Sequence, residues 1–350
     1  MSLKMLQTDT NNLFRAAQHG NISYFKDLTY SDRKLEWLQK TYPKSGDTVL
    51  HYACRFGQID LVHYLVESGA DIEVANFDGK RSLHEAAQYD SLHCVEYLLK
   101  CGAQIDCLKK ADWTPLMLAC TKSNLTIIQT LLNYGADQTL KNKDGWNCFH
   151  IAVREGHKDI VKYLHLQNSD TWNTVSKNGR TPLHTAALHG CTVVTEYLLD
   201  NCSYPVDQRD SCGSTPLMDA LRSGHTDVAE LLIHIQKADV NTEDNVGYQP
   251  LHQAAQAGCM SSVKFLRSEV GLSPNIFSSK GFTPLAVASK EGKTEVIKYL
   301  LSCGADINLT DKMGRTALHI ASGGQHAETV EVLIDNGACI QSDNSGKTPE

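Results

Sequence analysis

Apolar residues in this chain recur at helical spacing in short segments that return every 33 or 34 residues. In the run "RTPLHTAALHG", Thr181 is suited to cap a helix, Pro182 suits its first position, and Leu183 begins an apolar face along it. A second amphipathic segment follows in each unit, as in "VIKYLLSCGAD", where Gly304 can adopt the left-handed conformation that ends a helix. Each unit therefore predicts two helices followed by a polar turn.

The leucine-like residue of each T-P-L-H pattern serves as an anchor for counting these units. A single helix pair cannot bury its own apolar face, whereas stacked pairs can, so the period predicts a solenoid of stacked helix pairs. An earlier unit around Leu13 fits the pattern and is followed by a longer insertion. The anchors of the regular units are Leu50, Leu83, Leu116, Phe149, Leu183, Leu217, Leu251, Leu285 and Leu318.

The anchors divide the chain into three parts. Residues 1–46 are expected to form an N-terminal capping repeat with an insertion, residues 47–343 nine repeats in one continuous array, and residues 344–350 the start of an incomplete terminal unit. Three repeats, those containing "HLQNSDTWN", "LLDNCSYPVD" and "HIQKADVN", lack the usual Gly-Ala after the second helix. We expect irregular helix ends in these three repeats.

Composition and charge narrow the function classes. The 350 residues carry a net charge of −7, which argues against nonspecific binding to nucleic acid or to an anionic membrane. No stretch of about 18 apolar residues could span a bilayer, and the start of the chain lacks the pattern of a signal peptide. The twelve cysteines include no C-x-x-C pair, which favours reduced thiols over zinc or disulfide sites. We expect a monomer in the cytoplasm, with the nucleus as a further location.

A set of histidines directly follows the anchors and looks at first like a metal cluster. Because they occupy the same position in separate repeats, they lie too far apart to share one metal ion, and each ring is expected to hydrogen-bond loop backbone instead. No phosphate-binding loop, HExxH or G-x-S-x-G motif is present, and nothing orders Cys and His residues for catalysis. The sequence predicts neither an enzyme nor a cofactor or metal site. The histidines are His51, His84, His150, His184, His252 and His319.

Two loop positions in several repeats carry large or charged side chains that helix packing does not require. Tryptophan and arginine are favoured anchors in protein interfaces, so we expect these loops to bind a protein partner. Solvated lysines beside rings that shield the loop are the alternative, and stacking of single-stranded nucleic acid is a minor one. The candidates are lysines six positions before the anchor (Lys110, Lys143, Lys177), large side chains three positions before it (Trp113, Trp146, Arg180) and two flanking lysines (Lys109, Lys141).

Several runs resemble the ankyrin-repeat family, among them "DGKRSLHEAA", "NGRTPLHTAALHG" and "LLSCGADINLTDKMGRTALHIA". The resemblance extends over nearly the whole chain. It implies antiparallel helix pairs stacked side by side, with hairpin-like loops that project as fingers along one edge and contact partners. The expected fold is an all-α ankyrin-repeat solenoid, and the expected function is that of a protein-interaction module.

A narrower resemblance is carried by "LKKADWTPLMLAC" and "TLKNKDGWNCFHIAVREGH", which are similar to ankyrin-repeat proteins that co-regulate alanyl-tRNA synthetase. It implies a non-enzymatic protein whose lysines accept misactivated serine and so limit serine mistranslation at alanine codons. By this match Lys110 and Lys143 are acyl acceptors. A third acceptor would fall near Asn173, which is not a lysine, and Lys177 or Lys162 could replace it. A general adaptor that binds another cytosolic protein through the same loops is the alternative.

Overall fold

The chain divides into two compact units, residues 1–173 and residues 174–350. The computed structural model describes residues 3–30 and 34–349 of them. Within these described ranges the secondary structure is helical and contains no β-strand, which confirms the predicted all-α fold class. The division into a cap, one continuous array of nine repeats and a terminal segment stays a prediction, and its residues 1, 2, 31–33 and 350 lie outside the described part.

In the first unit, inner and outer helices alternate along the chain. The helices are α1 (Leu3–Gln18), α2 (Ile22–Tyr30), α3 (Lys34–Leu38), α4 (Val49–Arg55), α5 (Ile59–Glu67), α6 (Ser82–Gln88), α7 (Leu92–Lys100), α8 (Pro115–Cys120), α9 (Leu125–Asn133), α10 (Cys148–Arg154) and α11 (Lys158–Gln167). Inner helices α4, α6, α8 and α10 pack in succession, and outer helices α5, α7 and α9 do the same. Helix α1 packs against α4, so the capping helices extend the same core.

The second unit repeats this arrangement. Its helices are α12 (Pro182–His189), α13 (Thr192–Asn201), α14 (Pro216–Ser223), α15 (Thr226–Glu230), α16 (Pro250–Ala257), α17 (Met260–Ser268), α18 (Pro284–Lys290), α19 (Thr294–Ser302), α20 (Ala317–Gly323) and α21 (Ala327–Asp335). Inner helices α12, α14, α16, α18 and α20 pack in succession, each also contacting its own outer helix.

The T-P-L signature determines where most inner helices begin. Thr114 has extended backbone, its Oγ1 accepts the N–H of Met117 at 3.2 Å, and Pro115 takes the first helical position. Such a cap stabilises a helix by about 1 kcal/mol. Helices of this length are marginal alone, so packing must hold them, and the anchor residues are accordingly no more than 2% exposed. The same threonine cap occurs at Thr48, Thr181, Thr215, Thr283 and Thr316.

The predicted backbone role is confirmed for five of the six histidines. Nε2–H of His84 donates to the carbonyl of Trp113 at 3.1 Å, while Nδ1 accepts the N–H of Arg81 at 3.1 Å. Burial lowers the pKa of His84 to about 4, so the neutral ring that makes both bonds prevails at neutral pH. Equivalent bonds to a carbonyl in the next repeat join His51 to Lys80, His184 to Ser214, His252 to Phe282 and His319 to Lys347.

The predicted irregular helix ends are also present. Asn168 and Cys202, which follow α11 and α13, have extended backbone instead of a left-handed glycine. Helix α15 continues as a π-helix over Leu231–Ile235. In a regular repeat Gly304 follows the outer helix with φ of 83°, as its position in the sequence predicts.

The insertion in the first repeat builds an aromatic core. Trp37 is 5% exposed and its ring centroid lies 5.2 Å from that of Phe25, while Tyr42 contacts Phe14 edge-on at 5.3 Å.

In the part of the chain that the structure describes, every helix is too short or too polar to span a bilayer. The same residues include no group of three His, Cys, Asp or Glu side chains that could hold a metal ion. No disulfide joins the twelve cysteines, all of which lie in the described ranges, and half of them are buried.

Candidate protein-interaction face on the fingers

A tight turn precedes each inner helix, and these turns, called fingers, carry the predicted site residues. In the first unit the four fingers are residues 42–47, 76–80, 109–113 and 142–146. Because each turn hydrogen-bonds to the one before it, the fingers form a continuous row. The linking bonds run from Phe77 N–H to Ser45 O, from Lys110 N–H to Asp78 O and from Lys143 N–H to Ala111 O, each at 2.9 Å.

The third finger closes without the usual glycine. Ala111 and Asp112 have φ of 63° and 60°, a left-handed conformation that costs L-residues about 1 kcal/mol or more each. The N–H of Lys109 donates to the carbonyl of Trp113 at 3.0 Å and closes the turn. A Cβ on Gly79 of the second finger would lie 3.2 Å from Lys109 Cα, so glycine permits the close approach of the two turns.

The two lysines of the third finger share one carboxylate and have different surroundings. Nζ of Lys109 and Nζ of Lys110 lie 4.0 and 3.8 Å from Asp78. Lys109 is 16% exposed and its Nζ lies 5.8 Å from the ring centroid of Trp113, a cation–π contact. Lys110 is 69% exposed and projects into solvent. Lys109 therefore packs against the half-buried Trp113 ring, whereas the amine of Lys110 is accessible to solvent.

The fourth finger is held by one side chain. Oδ1 of Asn142 accepts the N–H groups of Asp144 and Trp146, both at 2.9 Å, and Asn142 N–H donates to the carbonyl of Trp146. Gly145 supplies the left-handed residue with φ of 79°. Lys143 at the tip is exposed, and no described carboxylate pairs with it. Its amine is therefore more accessible than that of a lysine in an ion pair.

The Trp146 ring lies over the inner helix of its own repeat. It stacks on His150 with centroids 6.0 Å apart and planes inclined by 16°, and Cζ of Arg154 lies 5.9 Å from its centroid. Tyr248 stacks on His252 in the same way in a later repeat. The ring at this position thus has a packing role, and its half-buried state leaves part of its surface for a partner.

A family model described as ankyrin repeats in three copies matches residues 13–109, 83–172, 165–244, 233–311 and 303–350. Together these matches span nearly the whole chain. The chain belongs to the ankyrin-repeat family. An ankyrin array is a protein-interaction module, because finger and inner-helix side chains that stacking does not require remain exposed to partners.

Relatives with a single short match support the repeat fold. Notch-regulated ankyrin repeat-containing proteins of Homo sapiens and Xenopus tropicalis are each 34% identical to this chain over 71 residues. That stretch is 20% of this chain and 62% of the relatives' length, so the chain spans less than two thirds of these ankyrin-repeat proteins.

The ankyrin finger that carries Lys177 and Arg180 belongs to the second unit. Lys177 is exposed at the tip, whereas Arg180 is 19% exposed and pairs with Asp219 at 2.5 Å and Asp210 at 3.2 Å. Burial raises the pKa of Asp219 to about 6, although Arg180 lowers it, and Asp219 Oδ2 accepts no hydrogen bond from the described residues. Arg180 therefore has an internal ion-pairing role, and its partner contact stays a prediction.

The structure brings together two of the predicted clusters. Lys109, Lys110 and Trp113 share the third ankyrin finger, and Lys143 and Trp146 share the fourth, joined to it by the bond from Lys143 to Ala111. Lys141, directly before the fourth finger, is exposed. Of the positions considered for a third acceptor, Asn173 is exposed near the end of the first unit and Lys162 is exposed on α11.

Two side chains that shape the candidate face were not predicted from the sequence. Asp78 pairs with both lysines of the third finger, and Asn142 shapes the fourth. Asn142 could have been recognised, because the position seven before the anchor is an Asn, Asp or Ser in most repeats. These residues are Asn76, Asn142, Ser176, Asp210, Asp244, Ser278 and Asp311.

Proposed function

We propose that this ankyrin array binds alanyl-tRNA synthetase and that its finger lysines accept misactivated serine. The runs around Lys110 and Lys143 resemble ankyrin repeat domain-containing protein 16, a co-regulator of that synthetase. By this resemblance the chain limits serine mistranslation at alanine codons without being an enzyme, and it acts in the cytoplasm or nucleus. Lys177 is a weaker third acceptor.

The main support for the proposal is the placement of two exposed lysines on adjacent, hydrogen-bonded fingers. Both Lys110 and Lys143 project from turns whose backbone is fixed by the preceding finger. The half-buried rings of Trp113 and Trp146 provide contact area next to them. A partner docked on the rings would therefore hold its active site near one or both amines.

The reaction we propose is a single acyl transfer. The lysine ammonium first loses a proton, and Nζ then attacks the carbonyl carbon of seryl-adenylate. The new C–N bond forms as the C–O bond to phosphate breaks, so seryl-lysine and AMP are produced and a second proton is released. Because lysine amines are mostly protonated near neutral pH, capture depends on the high effective concentration that docking supplies.

The direct test is to incubate the protein with the synthetase, serine and ATP and to map lysine adducts by mass spectrometry. We expect seryl adducts concentrated on Lys110 and Lys143. Lys312 is the matched control, because it is exposed at the same finger position in the second unit. Modification of Lys312 to the same extent would show indiscriminate acylation and would refute the capture proposal.

A general adaptor is the second candidate, since any ankyrin array can present finger residues to a protein. Lys110→Arg with Lys143→Arg keeps the charge but removes both acceptor amines. If the lysines accept misactivated serine, this variant still binds the synthetase but gives less protection against serine mistranslation. A variant with unchanged protection against serine would favour the adaptor.

A further inference from the structure

A cavity of about 600 Å³ opens on the first unit beside the third finger. It lies between the first three fingers and the ends of inner helices α4 and α6. Lys110 reaches its rim, but the other lining residues belong to neither lysine–tryptophan cluster. The cavity is therefore a separate feature of the same unit.

The floor of the cavity is polar and electrically balanced. Arg55 donates Nε–H to Glu85 at 2.9 Å and Nη2–H to Asp47 at 2.9 Å, and Nζ of Lys80 lies 3.2 Å from Glu85 Oε1. Both carboxylates are buried, with 0% and 1% of the side chain exposed. The charges of the two cations and the two carboxylates cancel. The floor therefore shapes the cavity and does not itself attract an ion.

The walls of the cavity are aromatic. Arg55 Cζ lies 5.1 Å from the ring centroid of Tyr52 and 5.8 Å from that of Tyr89. Phe77, at the second fingertip, is 61% exposed, and its ring lies directly over Gly46, where an added Cβ would come within 2.6 Å of it. Arg55 thus contacts both tyrosine rings, and Phe77 packs on the Gly46 backbone, so an aromatic wall is present without a ligand.

The rim carries the exposed charges. Lys44 and Lys110 are exposed at the first and third fingertips, on either side of Phe77. Asp78 lies 3.8 Å from Lys110 Nζ and partly offsets it. With the floor balanced, the lining has a surplus of one positive charge, on a protein whose net charge is −7.

We propose that this cavity receives a short acidic peptide segment of a partner protein. One apolar side chain of the segment packs against Phe77 and Tyr89, and its flanking carboxylates pair with Lys44 and Lys110. Exposed rings beside a rim with a surplus of positive charge are the features that anchor such a segment.

The positions of the charges favour a peptide over a nucleic acid strand. Asp78 is 57% exposed at the rim, and a continuous row of phosphates passing from Lys44 to Lys110 would be repelled by it. A peptide carries discrete carboxylates and can place an N–H group at Asp78. The surplus positive charge is also small for binding a polyanion.

The test uses the full chain and a fluorescein-labelled peptide in which one phenylalanine is flanked by glutamates, followed by fluorescence anisotropy. We expect saturable binding that weakens with added salt. Lys44→Glu with Lys110→Glu should weaken it by about 10-fold, because two attractions become repulsions. Phe77→Ala should weaken it by about 10-fold, because the exposed aromatic contact is lost.

Matched controls come from the second unit. Lys280→Glu with Lys312→Glu makes the same change in net charge at exposed finger positions, and Phe277→Ala removes another exposed ring. Both controls should bind as the wild type does. Equal affinity in the test variants, or equal binding of a peptide with lysines in place of glutamates or of a thymidine oligonucleotide, would overturn the proposal. Lys110→Arg keeps the rim charge and should still bind the peptide, although it removes an acceptor amine. A failure of this proposal can therefore be distinguished from a failure of the acyl-capture proposal.

Discussion

At the scale of the residue, the histidine after the anchor performs the same task in five repeats. In His84 the two ring nitrogens join the start of α6 to the third finger, through Arg81 N–H and the Trp113 carbonyl. Only the neutral ring can accept at Nδ1 while donating at Nε2. Burial stabilises that neutral form, so the ring that positions the finger also becomes sensitive to acid.

We predict that His84 makes the stability of the first unit fall in mild acid. The pKa of His84 is about 4 in the folded chain against an ordinary value of 6.5. The unfolded chain therefore binds the proton first, and the contribution is complete above pH 6.5 and lost as the pH falls towards 4. When the pH falls from 7.5 to 5, the unfolding free energy of the wild type should decrease by about 2 kcal/mol more than that of His84→Gln.

Urea unfolding of the wild type and the variant at both pH values measures this difference. His93→Gln provides the control, because His93 is 77% exposed on α7 and should follow the wild type. An identical pH dependence in His84→Gln and the wild type would show that His84 does not carry the effect.

At the scale of the element, a finger is a turn whose shape depends on one acceptor side chain. In the fourth finger that acceptor is Asn142, which is 4% exposed, and its Nδ2 donates to no described residue. The amide is thus used only through its oxygen. The sixth, seventh and ninth fingers have Asp210, Asp244 and Asp311 in this position, which supply an equivalent oxygen.

Asn142→Ala should loosen the fourth finger and displace Lys143. The change leaves the N–H groups of Asp144 and Trp146 without their acceptor, at a cost of about 1–3 kcal/mol. Amide hydrogen exchange from Lys143 to Trp146 should accelerate, and acylation of Lys143 should decrease if that reaction occurs. Asn142→Asp keeps the oxygen and should retain wild-type exchange, whereas equally fast exchange in both variants would exclude the acceptor role.

At the scale of the whole molecule, each repeat contacts its neighbours in the same stack, so a local defect has limited reach. Leu131 on α9 and Leu300 on α19 are each fully buried, one in each unit. Their surroundings are formed by adjacent helix pairs and not by one central core.

Leu131→Ala should destabilise the first unit by about 2–5 kcal/mol through the cavity it creates. Hydrogen exchange should accelerate in α7, α8 and α9 and remain slow in α18, α19 and α20, because stability in a repeat array is a sum of local terms. Leu300→Ala is the matched variant and should give the reverse pattern. Equal acceleration in both units would mean that the chain unfolds as one cooperative block.

The period of the apolar residues was sufficient to predict the helix pairs. Most short inner helices have a threonine cap and each has its own anchor, as at Thr114 and Leu116, so local sequence and local structure agree. The turn chemistry of the third finger was not predictable in the same way. Ala111 adopts a left-handed conformation that its residue type does not indicate, and its carbonyl accepts the N–H of Lys143 in the next finger.

The sequence by itself determined the all-α repeat fold, the positions of the histidines and the exposed tips at Lys110 and Lys143, because these depend on spacing within one unit. Only the tertiary structure decided which of the predicted site residues serve the fold. Arg180 became the partner of the buried Asp219, and Asp78 became the shared carboxylate of two lysines. Such pairings join residues about one repeat apart in the sequence, and their distances follow from how successive turns stack.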